Sequence, residues 1–170
     1  SKKFTVTIGI PAHNEEANIE NLLSSLLEQK ETFYKIKSIF LISDASTDHT
    51  LKKVRRFRDR RIKVIQNPIR KGQTHAQNFI FSCSKTDVVV ILEADTIPQD
   101  KKYLHYLLLP IASNPSTGFV GGNSVPLPSQ KLLGKVIFHQ VQAYKESVGD
   151  HPKSKYWLFS GRGGKAFTKK

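Results

Sequence analysis

The sequence predicts an α/β fold in which helices flank a mostly parallel β-sheet. Stretches rich in β-branched residues alternate with stretches of helical periodicity, which is the pattern of βαβ units. Residues 88–92 form a continuous aliphatic run, as expected of a strand in the middle of a parallel sheet. Polar clusters follow four of the predicted strands, and the carboxyl ends of parallel strands share one edge of a sheet.

Five strands are predicted from apolar and β-branched runs bounded by turn residues. Pro11 is expected to end the first strand because proline cannot donate to a ladder. Asn67 and Pro68 form a turn after the third strand, and Gly121 with Gly122 interrupts the fifth. The predicted strands cover residues 4–10, 36–43, 62–66, 88–93 and 119–125.

Helices are predicted between the strands from apolar residues at helical spacing and from capping residues. Asn14 is expected to cap the first helix, whose buried stripe runs from Ile19 to Leu27, and Ser46 or Thr47 to cap the second. Cys83 lies among apolar helix formers and is expected in the core. The later helices are expected at residues 46–60, 72–83, up to 112, and 130–148; beyond residue 150 the pattern weakens.

The length of 170 residues fits one domain, and 38% apolar residues can build a core, which excludes general disorder. A single cysteine excludes an intramolecular disulfide and a thiolate zinc site. No aliphatic run approaches the length of a membrane span, and no export signal is visible. We therefore expect a cytoplasmic location, with membrane association of a longer protein left open.

The net charge of +13 is concentrated in two segments. Residues 51–71 hold ten basic side chains and one acidic one, and residues 151–170 hold six basic and no acidic ones. An anionic partner would explain this excess: nucleic acid, anionic lipid or a phosphorylated substrate. The simpler interpretation is a solvated helix face around an apolar seam of Leu51, Val54 and Phe57. Nucleic-acid binding ranks last, since it rests on charge alone.

Two acidic residues after the fourth predicted strand are candidate metal ligands. Glu93 and Asp95 are two residues apart, so both can face one side of an extended segment. Carboxylate oxygens suit Mg²⁺ or Mn²⁺, with phosphate oxygens completing the coordination shell. The alternative is that Asp95 caps a helix or closes a turn.

Residues after the other strands carry groups that could bind a nucleotide. Asp44 could accept a hydrogen bond from a nucleobase or cap the following helix. Glu15 could bind a ribose hydroxyl or complement the helix dipole, and the backbone of His13 could matter more than its ring. A cationic pair followed by Gly72 opens a helix and could bind an anion, or could be an ordinary basic turn. The glycine-rich residues 161–165 lack the spacing of a phosphate loop and are expected to form a flexible loop on the acceptor side.

Four segments in order, IPAHNEEANI, ISDASTDHT, NPIRKGQTHAQNFI and VVVILEADTIP, resemble the family 2 glycosyltransferases, which have the GT-A fold. The resemblance covers residues 4–125 and implies that Pro11, Ala12, His13, Asn14 and Glu15 line a nucleotide pocket. It implies that Asp44 contacts the base, usually uracil, and that Arg70, Lys71 and Gly72 border the base and the phosphates. Glu93, Ala94 and Asp95 match the DxD-type motif, whose last acid, here Asp95, would hold Mn²⁺ or Mg²⁺.

The sequence departs from the family pattern at two motifs. The second strand ends in Ser43 and Asp44 rather than in two acids, and the first acid of the DxD-type motif is a glutamate, Glu93. In the family the general base lies in an acidic motif well after the glycine-rich stretch, so we expect this residue beyond Lys170.

The resemblance implies inverting transfer of a sugar from a uridine or guanosine diphosphate sugar to an acceptor hydroxyl, with a divalent metal. We expect residues 1–170 to be a single donor-binding, GT-A-like domain, without the acceptor and base segment, that binds nucleotide but turns over poorly. The alternative is a non-catalytic relative that binds acidic partners or a membrane surface through its basic face. A nucleotidyltransferase fits less well, because PAHNEE is not a glycine-rich basic loop. The sugar and the acceptor do not follow from the sequence.

Overall fold

The computed structural model describes residues 3–122 and 164–169. Strands and helices alternate along the chain as the sequence predicts. Three predicted features lie wholly or partly outside the described residues. They are the helix at residues 130–148, the end of the fifth strand at residues 123–125, and the weak pattern together with the start of the glycine-rich stretch at residues 150–163. The observed elements are β1 (Phe4–Ala12), α1 (Ile19–Leu27), β2 (Tyr34–Asp44), α2 (Thr50–Val54), β3 (Ile62–Asn67), α3 (Gln73–Cys83), β4 (Val88–Ile91), α4 (Tyr103–Ser113), β5 (Phe119–Gly121) and β6 (Lys165–Thr168).

The described strands form one sheet with the order β3-β2-β1-β4-β6-β5. The pairings among β1–β4 are parallel, whereas β6 is antiparallel to both β4 and β5. The prediction of a mostly parallel sheet flanked by helices is confirmed. The expectation of a flexible loop at residues 161–165 is wrong for its last two residues, because Gly164 is buried and Lys165 begins β6.

The sheet separates two apolar layers. Ile8 and Ile10 of β1 pack with residues of α1 and α4 on one face, in the larger cluster. Gly9, between them, faces α3 on the other side, where a Cβ would lie 2.6 Å from Ile80. Glycine at this position therefore lets α3 approach the sheet closely.

Pro11 does not end the first strand as predicted, since the pairing with β2 continues through Pro11 and Ala12. The carbonyl of Gly9 accepts a hydrogen bond from Leu92, so it points towards β4. Alternation turns the nitrogen of Pro11 to the same side, beyond the last paired residue of β4. The missing N–H therefore removes no bond to β2.

Two predicted helix starts and one burial prediction are wrong. Helix α1 begins at Ile19, and Asn14 lies before it with a positive φ of 54°. Helix α2 begins at Thr50 and has five residues, so neither residue predicted to cap it does so. Cys83 is exposed at the end of α3, because the apolar side of this helix that meets the sheet is carried by Ala76 and Ile80.

Candidate nucleotide-binding edge

Parallel pairing brings the ends of β1–β4 to one edge of the sheet. Ala12 pairs with Ser43 and Asp44 pairs with Asn67, while Gly9 pairs with Ile91 three residues before the end of β1. We call this region the carboxyl edge, which comprises residues 11–18, 43–49, 67–73 and 92–96. All twelve predicted site residues belong to these four segments.

The segments after β1 and β2 are joined by hydrogen bonds that run in both directions. The backbone N–H of Asn14 donates to Ser46 Oγ at 3.2 Å, and the N–H of Thr47 donates to Asn14 Oδ1 at 2.8 Å. The N–H of Glu15 donates to Thr50 Oγ1 at 2.8 Å. The side-chain oxygen of Asn14 is thus bound within the fold, and the residues predicted to cap α2 instead fix the segment after β1.

Two acidic residues extend this connection. The Asp48 carboxylate accepts hydrogen bonds from the backbone of Glu16 at 3.0 Å and of Thr50 at 3.0 Å. Burial would raise the pKa of Asp48, but these bonds and that of the Thr50 hydroxyl outweigh it and lower the pKa. Glu16 Oε2 accepts from the backbone N–H of His49 at 2.8 Å, and hydrogen bonds from His49 lower the pKa of the Glu16 carboxyl. Both groups therefore stay ionised to low pH.

Asp44 holds the segment after β3 against the end of β2. Its Oδ2 accepts from the backbone N–H of Gly72 at 2.7 Å, and its Oδ1 accepts from the N–H of Lys71 at 2.9 Å. Asn67 Nδ2 donates to Oδ1 at 3.0 Å. Asp44 is 5% exposed, and both of its carboxylate oxygens accept hydrogen bonds from groups of the same chain.

The carboxyl of Asp44 is held in its charged form. Burial would raise its pKa, but the hydrogen bonds from Asn67, Lys71 and Gly72 and the charge of Arg70 outweigh this and lower the pKa below its ordinary value of 3.8. The Nδ1 of His13 lies 2.7 Å from the carbonyl oxygen of Asp44. Asp44 thus links three segments of the carboxyl edge.

Glycine at position 72 fits the same arrangement. Its φ is +86°, which other residues rarely adopt, and its N–H points to Asp44 while its carbonyl accepts from the N–H of Ala76. The side chains of Arg70 and Lys71, immediately before it, are exposed. Two cations therefore remain accessible to a ligand at the start of α3.

Asp95 differs from Asp44 in being exposed, with no hydrogen-bond or ion-pair partner for its carboxylate among the described residues. It follows Glu93, which is half-buried, in a turn closed by the bond from Thr96 N–H to the Glu93 carbonyl at 3.0 Å. The Thr96 hydroxyl is buried, and within the part of the chain that the structure describes it has no hydrogen-bond partner. Within the described residues, this turn therefore holds an exposed carboxylate without a partner next to a buried hydroxyl without one.

The donor set fits one mode of divalent metal binding. Among residues 3–122 and 164–169, no group of three or more potential ligands is close enough to enclose an ion. Mg²⁺ commonly binds through one or two carboxylates together with substrate phosphates and water, rather than in a cage of protein ligands. Asp95 can supply a carboxylate of this kind, so the residues fit a cation that arrives with a phosphate ligand.

The sequence does not reveal three of the residues that shape this edge. Asn67 and Thr50 form hydrogen bonds with residues that are distant in the sequence, and the buried Thr96 hydroxyl has no partner among the described residues. No local sequence pattern indicates these features. Glu15, by contrast, keeps its carboxylate near its own helix, where Asn18 Nδ2 donates to Oε2 at 3.0 Å.

Comparison with known proteins agrees with this architecture. The family model described as glycosyl transferase family 2 matches residues 7–165. The chain belongs to glycosyl transferase family 2, and its fold is the GT-A fold.

A curated relative is consistent with this family assignment. Over 143 residues the chain is 28% identical to the Escherichia coli protein named UDP-Glc:alpha-D-GlcNAc-diphosphoundecaprenol beta-1,3-glucosyltransferase WfgD, covering 84% of this chain and 54% of that protein. The chain thus spans about half the length of this curated relative.

Two solved structures are similar in fold. The mannosyltransferase PcManGT from Pyrobaculum calidifontis, in complex with GDP-Man and Mn²⁺, has a TM-score of 0.62 and 25% identity, covering 73% of this chain and 36% of that one. Glucosyl-3-phosphoglycerate synthase from Mycobacterium tuberculosis, in complex with Mn²⁺, UDP and phosphoglyceric acid, has a TM-score of 0.66 and 19% identity. That alignment covers 97% of this chain and 56% of the synthase and shows the fold alone.

None of the helices in the described ranges is both long and apolar enough to cross a membrane.

Proposed function

We propose that the chain is the donor-binding part of an inverting glycosyltransferase that uses a nucleoside diphosphate sugar and a divalent metal. The observation that carries the proposal is the carboxyl edge, where segments follow four parallel strands at the same end of the sheet and Asp95 is exposed with no partner among the described residues. The E. coli relative is named for a UDP-glucose donor, and the Pyrobaculum structure contains GDP-mannose with Mn²⁺. These names support a uridine or guanosine diphosphate sugar as the donor class.

The residues of the edge divide into a frame and a contact surface. Asp44 and Asn14 hold the frame, because their side-chain oxygens are bound to backbone groups of neighbouring segments. Arg70, Lys71 and Asp95 form the contact surface, because their charged ends are exposed. We expect the two cations to meet the base or the phosphates and Asp95 to hold the metal. A bound divalent cation would neutralise the charge that develops on the departing diphosphate.

Nucleotide titration with and without Mn²⁺ tests this assignment. UDP and GDP are titrated into the wild type, Asp95→Ala and Glu28→Gln by calorimetry at constant ionic strength. Glu28 is a matched acidic control, because it is exposed and its ion pair among the described residues is with Lys101 at 3.0 Å. We expect Mn²⁺ to strengthen binding to the wild type and to Glu28→Gln by about tenfold or more, which corresponds to about 1.4 kcal/mol. Asp95→Ala should bind equally with and without Mn²⁺. Binding that ignores Mn²⁺ in the wild type, or an Mn²⁺ effect that survives in Asp95→Ala, would contradict the metal assignment.

The second candidate, a non-catalytic module with a basic docking face, is favoured by one observation. Lys52, Arg55, Arg58 and Arg60 are exposed, and none makes an ion pair within the described residues. Absence of binding to any nucleotide in the titration, together with salt-dependent binding to anionic vesicles, would favour this candidate.

A further inference from the structure

A pocket lies at the amino edge of the sheet, at the opposite end from the proposed nucleotide site. Its volume is about 450 Å³, within the usual range for small-molecule sites. Helix α3 covers the carboxyl half of this sheet face with Ala76 and Ile80 and ends at Cys83, which lines the pocket. Beyond that helix the sheet face is polar, with Thr5 and Thr7 of β1 in the pocket wall. We call this the amino-edge pocket.

A β-bulge directs two consecutive residues of β2 into the pocket. Val6 pairs with Ile36 and Thr7 pairs with Ser38, so Lys37 is the extra residue between them. Ile36 and Ile39 both belong to the larger apolar cluster on the opposite face, although they are three residues apart. Lys37 and Ser38 therefore share the other face, and both line the pocket. Bulges often re-aim side chains in this way.

A connected row of four hydroxyl groups includes three residues of the pocket wall, Thr86, Thr7 and Ser38. Ser84 Oγ lies 2.9 Å from Thr86 Oγ1, which donates to Thr7 Oγ1 at 2.8 Å. Thr7 Oγ1 lies 3.0 Å from Ser38 Oγ at the end of the row. Thr86 Oγ1 also lies 3.0 Å from the carbonyl oxygen of Val88, so the single hydrogen of Thr86 is shared between Thr7 and Val88, and either hydroxyl of the Thr7–Ser38 pair can be the donor. Thr7 is fully buried and Ser38 is 7% exposed, so the row is built into the fold.

Three lysines surround these hydroxyls. Lys37 and Lys85 form no ion pair or hydrogen bond among the described residues, and Lys63 lies 5.2 Å from the centre of the Phe40 ring. The described lining includes no acidic residue, and the nearby Asp87 carboxylate is bound by the N–H and hydroxyl of Thr5 at 2.7 and 2.8 Å.

Protection of an exposed sheet edge accounts for two of these lysines but not for the third. Lys63 belongs to β3, which is an edge strand among the described strands, and lysine there discourages pairing with another chain. Lys37 lies on the first part of β2, whose pairing with β3 begins only at Ile39, so the same explanation applies to it. Lys85 lies in the turn between α3 and β4, to which this explanation does not apply. Edge protection alone therefore does not explain why all three lysines line one pocket together with hydroxyl groups.

We infer that the amino-edge pocket binds a phosphate group. Lysines supply positive charge for an oxyanion, and hydroxyls supply the shorter hydrogen bonds that fix it, which is the donor set of a phosphate site. The positive charge of the three lysines disfavours a cationic ligand, and the hydroxyl groups of the lining disfavour an apolar one. The site lies at the end of the sheet away from Asp95, so it is independent of the proposed nucleotide site.

Cys83 provides a local reporter of occupancy, because it lines the pocket, is exposed and is the only cysteine of the chain. The rate of its alkylation by an uncharged maleimide is measured at constant ionic strength and pH against increasing inorganic phosphate. Pyrophosphate, and vesicles of phosphatidylglycerol or phosphatidylcholine, form parallel arms. The variants are Lys37→Ala and Lys85→Ala, with Lys35→Ala as a matched control, an exposed lysine two residues earlier on β2 that does not line the pocket.

We expect saturable protection of Cys83 in the wild type and in Lys35→Ala, weakened by about tenfold in Lys37→Ala and in Lys85→Ala. Protection by inorganic phosphate or pyrophosphate identifies a free phosphate ligand, and protection by phosphatidylglycerol vesicles alone identifies a lipid headgroup. Protection that is not saturable, or that is the same in all variants, would overturn the inference. So would phosphate binding, measured by calorimetry, that is lost in Lys71→Ala but kept in both pocket variants, since the anion would then bind at the carboxyl edge.

Discussion

Replacing Asp44 with asparagine tests whether the carboxyl edge depends on one buried carboxylate. In the wild type the backbone N–H of Gly72 donates to the second oxygen of Asp44 at 2.7 Å. In Asp44→Asn the remaining oxygen still accepts from Asn67 and Lys71, but an NH₂ group replaces the second oxygen and faces the N–H of Gly72. The variant loses a charge-assisted hydrogen bond and leaves the half-buried N–H of Gly72 unpaired. These losses amount to about 2–4 kcal/mol of unfolding free energy.

The pH dependence of this loss has a definite sign. Because the native pKa of Asp44 is lowered below 3.8, the carboxylate stabilises the fold at every pH above that value. The contribution disappears as the pH falls through the lowered native pKa. The difference between wild type and Asp44→Asn should therefore be constant from about pH 7 to about pH 5 and shrink below about pH 4.

Urea unfolding, followed by circular dichroism at several pH values, measures both effects. Asp95→Asn is the matched control, because it removes the same charge from an exposed carboxylate at the same edge and should change the free energy by less than about 0.5 kcal/mol. Equal stability of Asp44→Asn and the wild type at pH 7 would refute the assignment of Asp44 to the frame. A difference that grows in acid would refute the sign of its pKa shift.

Two glycine substitutions separate steric crowding from backbone strain. Gly9→Ala places a Cβ 2.6 and 2.7 Å from two carbons of Ile80, so we expect urea unfolding to show a loss of about 1–3 kcal/mol in the free energy of unfolding. Adding Ile80→Val should recover part of this loss, and no recovery in the double variant would contradict crowding as the cause. Gly72→Ala meets no atom within 4 Å but requires a φ of +86° with a ψ of 164°, a backbone region essentially restricted to glycine. We therefore expect Gly72→Ala and Gly72→Asn each to lower the free energy of unfolding by about 1–3 kcal/mol, and a negligible loss for either variant would argue against strain.

The parallel half of the sheet is predictable from the sequence because its signals are local. The predicted limits of the second and third strands differ from the observed limits by no more than two residues. Apolar runs and the turn residues that bound them carry this information. The same reasoning correctly places helix α3 at residues 72–83, one residue from its observed start.

The second helix shows why local signals fail elsewhere. The seam of Leu51, Val54 and Phe57 predicts a helix to residue 60, but α2 ends at Val54. Asp59 forms a turn instead, where its carboxylate accepts from the backbone of Arg61 at 2.8 Å and its carbonyl accepts from Ile62 at 3.1 Å. Phe57 still packs against the core. Its apolar character therefore indicates its packing correctly, although the backbone at this position is not helical as predicted.

The candidate site divides in the same way. Sequence motifs identify the segments of the carboxyl edge, because polar residues after strands are visible locally. They do not distinguish Asp44, whose oxygens are bound by the chain itself, from Asp95, whose oxygens are not. That difference depends on Lys71 and Gly72, which are 27 and 28 residues away from Asp44. Whether these residues contact a nucleotide stays a prediction.

The position of β6 between β4 and β5 determines the order in which the sheet can be completed. Val88 pairs with Thr168 and Phe119 pairs with Phe167, so β5 has no described neighbour other than a strand made more than forty residues later. During synthesis the four parallel strands can associate as they leave the ribosome, whereas β5 can pair with β6 only after residues 165–168 have been translated. Until then the free side of β4 is an open template, and a chaperone or a second nascent chain could pair with it.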